Sequence, residues 1–161
     1  MRLWLILSVV VVIIDQATKE WVKSILYEDE YIPISSFLNV VLAFNEGAAF
    51  SFLSDAGGWQ RWLFIAIAII ISGVLYNWLT KLHKKEWPTA IALALILGGA
   101  WGNLIDRALY GKVTDFIDIY YGQYHWPAFN VADSAIFLGV FMMLYCLFRC
   151  EVPNRHLSNL K

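Results

Sequence analysis

Four long apolar runs leave this chain few folds to choose from. They extend from about Leu3 to Val22, Trp62 to Leu82, Pro88 to Asp106 and Val131 to Phe148. Each approaches the roughly 20 helical residues needed to cross about 30 Å of hydrocarbon. Pro88 opens the third run at a position where a helix tolerates proline. The first run follows a basic Arg2 and passes into Asp15-Gln16-Ala17-Thr18-Lys19 with no small-residue cleavage site. It therefore reads as a retained span and not as a signal peptide. With 60% apolar and 16% charged residues among 161, and a mean hydropathy of +0.59, the chain is too oily for a soluble domain of its size. The expected fold is an all-α integral membrane protein of four transmembrane helices, with residues 1–161 as one membrane-embedded domain.

The net charge of −1 gives no electrostatic case for nucleic acid. Cys146 and Cys150 lie four apart, which suits neither a zinc knuckle nor a redox Cys-x-x-Cys, so two free thiols are expected. Basic residues in short loops orient the spans. With the N-terminus inside, Arg2, Lys81, Lys84, Lys85, Arg149, Arg155 and Lys161 are cytoplasmic, and Lys19, Lys23, Arg61, Arg107 and Lys112 lie opposite. That 7-to-5 bias puts both termini in the cytoplasm.

Two segments outside the spans carry structure. Between the first and second helices, Phe37–Phe44 and Ala48–Leu53 are β-prone runs separated by Asn45-Glu46-Gly47, which predicts a small hairpin or curved sheet. Between the third and fourth, Tyr120–Phe129 predicts a loop whose Tyr120, Tyr121, Tyr124 and Trp126 suit the headgroup level of a bilayer.

Polar residues then gather at the outward ends of the spans. Asp115 closely follows the third run and Asp133 opens the fourth. A carboxylate at the edge of lipid is costly and marks a functional site by default. Two in one site cannot both ionise easily, and the split in their pKa values is what an acid/base pair needs. Asn103 and Arg107 lie one helical turn apart and share a face. Asp15 and Lys19 have the spacing of an intrahelical ion pair, Gly98 and Gly102 that of close helix packing, and Arg107 alone reads equally as a side chain snorkelling to water. One outward pocket collecting Asp15, Asn45, Asn103, Arg107, Asp115, Asn130 and Asp133 is the sharper reading.

Three chemistries fit these residues. Asp115, Asp118 and Asp133 together suit magnesium and a lipid phosphotransferase. Asp115 and Asp133 alone suit a metal-free hydrolase. Carboxylates in a membrane also suit an ion relay. His125 reads as a lone interfacial residue in the aromatic loop.

The stretches Asp15–Lys19, Asn45–Phe52, Gly98–Arg107, Gly111–Asp118 and Phe129–Ala135 resemble, in order and across nearly the whole chain, the lipoprotein signal peptidases (type II signal peptidases) of bacteria. The resemblance implies an aspartic endopeptidase with Asp115 and Asp133 as its catalytic pair, and with Asp15, Lys19, Asn45, Gly47, Asn103, Arg107 and Asn130 binding substrate or the pair. It implies no metal and no cofactor, with Asp118 in a supporting role. The implied substrate is a prolipoprotein carrying a diacylglyceryl group, cut just before the lipidated cysteine. It further implies a monomer in the bacterial inner membrane, in contact with membrane lipids, with the β-prone segment as an extracytoplasmic cradle and inhibitors such as globomycin binding at the pair.

Overall fold

The structure, a computed structural model, describes residues 2–47 and 57–150, with side chains for residues 3–148. The β-prone run Ala48–Leu53, the basic Arg155 and Lys161, and the side chains of Arg2, Arg149 and Cys150 lie outside it.

Four helices form, α1 (Arg2–Ile25), α2 (Trp59–Lys81), α3 (Trp87–Tyr110) and α4 (Val131–Cys150), each somewhat longer than its apolar run. Helix α3 lies in the middle and packs against the other three. Its small residues allow this. A Cβ on Gly98 would stand 2.7 Å from Val11 Cβ on α1, and one on Gly102 would stand 2.6 Å from Asp15 Oδ2. A Cβ on Gly99 would collide with the Ala132 carbonyl of α4. Leu93 and Leu97 of α3 join Leu75 and Leu79 of α2 in one apolar cluster. At its far end α3 stops at Gly111, whose φ of 81° lets its N–H return to the Arg107 carbonyl at 3.1 Å. Arg61 of α2 covers the same helix end, donating to the carbonyls of Arg107 and Ala108 at 2.8 Å each.

The stretches Trp59–Lys81, Lys84–Tyr110 and Val131–Phe148 are long and apolar enough to cross a membrane. Their unpartnered sides expose residues such as Ile70, Val74, Phe137 and Phe141, as a lipid-facing surface requires. Helix α1 has the length, with Leu3, Ile6 and Ile13 exposed, but Asp15, Lys19, Glu20 and Lys23 interrupt its second half.

The segments between helices meet in one antiparallel sheet of order β1 (Tyr31–Ser35), β2 (Leu38–Asn45), β3 (Val113–Tyr121) and β4 (Tyr124–His125). The hairpin turns at Ser36–Phe37, pairing Tyr31 with Val41, and β2 ends at Asn45; the run expected to follow the Asn45-Glu46-Gly47 turn lies outside the described residues. One expectation is corrected, because the segment after α3 is no loop. Val113–Tyr121, rich in β-branched and aromatic residues, pairs with β2, setting Ala43 opposite Asp115 and Asn45 opposite Val113. Val22 of α1 and Leu26 just after it pack with Leu42 and Phe116, fastening the sheet to the helices.

Candidate active site

Asp133 occupies the third position of α4, and Asn130 stands just before the helix. The Asp133 N–H donates to Asn130 Oδ1 at 2.9 Å, and the Asn130 N–H donates to Asp133 Oδ2 at 3.2 Å. This reciprocal pair closes the helix start as a capping box does. Cap geometry therefore fixes one Asp133 oxygen, while Asn103 Nδ2 of α3 donates to the other, Oδ1, at 2.8 Å.

Asp115 arrives from β3. Asn130 Nδ2 donates to its Oδ1 at 2.7 Å, and Asn45 Nδ2, from the end of β2, donates to its Oδ2 at 3.3 Å. Asn130 thus touches both carboxylates, one through its side-chain amide and the other through its main chain. The same Nδ2 lies 3.2 Å from Asn103 Oδ1, so α3, α4 and β3 meet in a single polar knot. Burial pushes the Asp115 carboxyl up to about 7, and the neighbouring Asp133 charge pushes it the same way. The Asn45 and Asn130 hydrogen bonds and the Lys19 ammonium pull it back.

Asp15, Lys19 and Asn130, expected to bind substrate or the pair, are 0–1% exposed. Asp15 and Lys19 do form the intrahelical pair, at 2.8 Å, but Lys19 also reaches Asp106 and Asn103 on α3, each at 3.1 Å. Lys19 thereby offsets two buried carboxylates, as burial in a bundle favours.

Arg107 and Gly47 lie at the margin and bind each other. Arg107 Nη2 donates to the Gly47 carbonyl at 2.9 Å, and its guanidinium lies 5.0 Å from the Phe64 ring. The side chain therefore does not simply snorkel. Its Nε is buried with no partner among the described residues.

Asp118 goes elsewhere. It accepts from Asn39 Nδ2 at 2.8 Å and lies 2.9 Å from His125 Nδ1, whose ring stacks on Tyr120 with centroids 5.2 Å apart. These residues line a separate open depression of about 620 Å³ on the sheet. His125 is thus paired, contrary to its reading as a lone loop residue. Asp115 and Asp118 are three apart on one strand, an odd spacing that sends side chains to opposite faces in a regular strand. The ligand trio required by the phosphotransferase reading is not assembled, and no group of three or more His, Cys, Asp or Glu suited to a metal ion occurs among the described residues.

Sequence reasoning passed over Asp106 and Gln16. Asp106 accepts from the Thr114 N–H at 3.0 Å and from Gln16 Nε2 at 2.8 Å. Its signal was available, since Asn103, Asp106 and Arg107 stand at i, i+3 and i+4 on one helical face.

Comparison with known proteins narrows the chemistry. A family model described as "Signal peptidase (SPase) II" matches residues 7–149. A protein named "Lipoprotein signal peptidase" from Xylella fastidiosa (strain M12) is 56% identical over 140 residues, covering 85% of this chain and 83% of the relative. One of the same name from Pseudoalteromonas atlantica is 50% identical over 147 residues, covering 91% and 88%. A solved bacterial membrane enzyme, obtained by the in meso method at 2.3 Å resolution, superposes with a TM-score of 0.87 at 32% identity, covering 100% of this chain and 96% of that one.

Proposed function

This chain belongs to the signal peptidase II family, aspartic proteases that remove signal peptides from prolipoproteins, and we propose that Asp115 and Asp133 are its catalytic pair. The observation that carries the assignment is Asn130, which holds both carboxylates at once. The pair shares one proton near neutral pH. Its ionised member takes a proton from water as the water oxygen attacks the scissile carbonyl carbon. Its protonated member donates to the carbonyl oxygen, and the breaking C–N bond then receives a proton on the leaving amine. The apparent pKa values belong to the pair.

The substrate class is a prolipoprotein whose cysteine already carries a diacylglyceryl group, with cleavage just before that cysteine. The exposed apolar sides of α2 and α4 allow both lipid and signal helix to approach from within the bilayer. The hold of Arg107 on Gly47 keeps Asn45 beside Asp115. All four helices span the inner membrane, with both termini in the cytoplasm and the sheet outside. Both carboxylates come from one chain, so a monomer suffices, and globomycin-type inhibitors bind at the pair.

Purified protein should cleave a lipidated peptide carrying the lipoprotein cysteine motif, and should continue after exhaustive chelation. Loss of turnover with a chelator, restored by magnesium, would favour the phosphotransferase reading. Turnover should fall as pH rises through about 7, where Asp115 loses its proton. The stability sign is fixed by the same shift. A carboxyl raised from 3.8 to about 7 in the folded state contributes stability that is complete below about 4 and lost as pH rises through about 7. Asp115→Asn removes this dependence, so its thermal midpoint should exceed wild type at pH 8 by more than at pH 5. Equal differences at both pH values would contradict a buried, proton-retaining Asp115.

Arg107→Lys should lower turnover on the order of tenfold or more, because an ammonium cannot reproduce the planar fork that reaches the Gly47 carbonyl while lying over the Phe64 ring. Asn103→Ala should do the same by freeing Asp133 Oδ1. Lys112→Ala removes only a cation–π contact on Phe44 and should change little. Equal tolerance at all three positions would detach Arg107 and Asn103 from the chemistry.

A further inference from the structure

Behind the pair lies a second set of buried charges that the reaction does not use. Asp15, Lys19 and Asp106 are 0%, 1% and 1% exposed. The Lys19 ammonium has three hydrogens and three acceptors: Asp15 Oδ2 at 2.8 Å, Asp106 Oδ2 at 3.1 Å and Asn103 Oδ1 at 3.1 Å. Each carboxylate that it bridges also accepts a main-chain N–H. Asp15 Oδ1 accepts from Ala132 at 2.8 Å, and Asp106 Oδ2 accepts from Thr114 at 3.0 Å. Ala132 immediately precedes Asp133, and Thr114 immediately precedes Asp115. Consecutive Cα atoms lie about 3.8 Å apart across a rigid peptide plane, so gripping one residue's N–H confines the next residue's Cα. Gln16 Nε2 steadies the far oxygen of Asp106 at 2.8 Å, and Gly102, with no Cβ, leaves the space that Asp15 occupies.

We propose that Asp15 and Asp106, joined by Lys19, are positioning residues that set the separation of Asp115 from Asp133. Helix α1 carries no catalytic group. It acts as the fixed bar to which β3 and α4 are both tied. The inference rests on the catalytic reading of Asp115 and Asp133. Lys19 also holds Asn103 Oδ1, which leaves the amide nitrogen of Asn103 for Asp133. An asparagine at 106 keeps an oxygen for Lys19 and Thr114 and gives up only the bond from Gln16 Nε2, which retains the Gly102 carbonyl at 3.1 Å.

The test compares Asp106→Ala, Asp106→Asn and Asp15→Ala in the full chain, with kcat and KM measured on a lipidated peptide. Positioning predicts that both alanine variants lose roughly ten- to a hundredfold in kcat with KM nearly unchanged, as a misplaced reacting group does. Asp106→Asn should recover most of the loss. Thermal unfolding in detergent confirms that each variant is folded, and Asp106→Ser, whose hydroxyl is one bond too short for Thr114, replaces any alanine variant at 106 that fails to accumulate. Wild-type kcat in the alanine variants, a loss confined to KM, or equal loss in Asp106→Ala and Asp106→Asn overturns the proposal. Asp115→Asn in the same assay keeps the two readings apart. Turnover there removes the catalytic assignment itself, whereas an inactive Asp115→Asn beside a normal Asp106→Ala removes only the positioning role.

Discussion

Asp115→Asn and Asp133→Asn should each reduce cleavage of a lipidated peptide to background, a loss of roughly 10²–10⁴-fold or more. Each replacement keeps the size of the side chain and removes its ability to exchange a proton. At position 133 an asparagine still offers one oxygen to the donors that close the start of α4, so the helix should form. At position 115 an asparagine with its oxygen toward Asn130 Nδ2 keeps the shorter bond, at 2.7 Å, and gives up only the longer one from Asn45, at 3.3 Å. Both variants should therefore insert and fold, and folded protein in membranes, measured beside cleavage, separates lost chemistry from lost structure. Asp118→Asn serves as comparison. Its carboxylate is bound to Asn39 and His125 in the other depression, and its loss should cost far less activity. Near-normal turnover in either variant of the pair would remove it from the mechanism.

Lys19→Met should produce the largest loss of stability. The substitution keeps an unbranched side chain of similar length in a site that is 1% exposed, but strips the ammonium from between Asp15 and Asp106. Two carboxylates then remain buried with only hydrogen bonds to offset their charge. Breaking a buried ion pair on one side costs about 3–5 kcal/mol, well above the typical effect of a surface substitution. Adding Asp106→Asn to Lys19→Met should return part of that loss by removing one of the stranded charges. The readout is the thermal midpoint of purified protein in detergent. An unchanged midpoint in Lys19→Met, or no recovery in the double variant, would show that these charges are not coupled as their distances require.

The helices were legible in the sequence because they depend on local pattern. An apolar run of about 20 residues reads as a span wherever it occurs, and Asp133 at the head of one is conspicuous. The sheet was only half legible. Strand β3 pairs with β2 across some 70 residues, Asn45 with Val113, and no local periodicity reports such a partner. Without that partner Val113–Tyr121 looks like a linker after a helix. Asp15 and Lys19 were noticed at helical spacing, yet spacing alone does not say that Asp106 completes the group from another helix. Asp118 was misleading for the opposite reason. Its distance from Asp115 along the chain suggested a shared ligand set, and the pairing of β3 turned it toward Asn39 and His125.

The bond from Ala132 N–H to Asp15 joins positions 117 residues apart in sequence, from the first described helix to the last. Asn130 and Asp133 belong to that late stretch as well. During synthesis, then, three of the four helices and all four strands are made before Asn130 and Asp133. The proposed pair is completed only when α4 packs beside α3 and brings its capped first turn against Asp115.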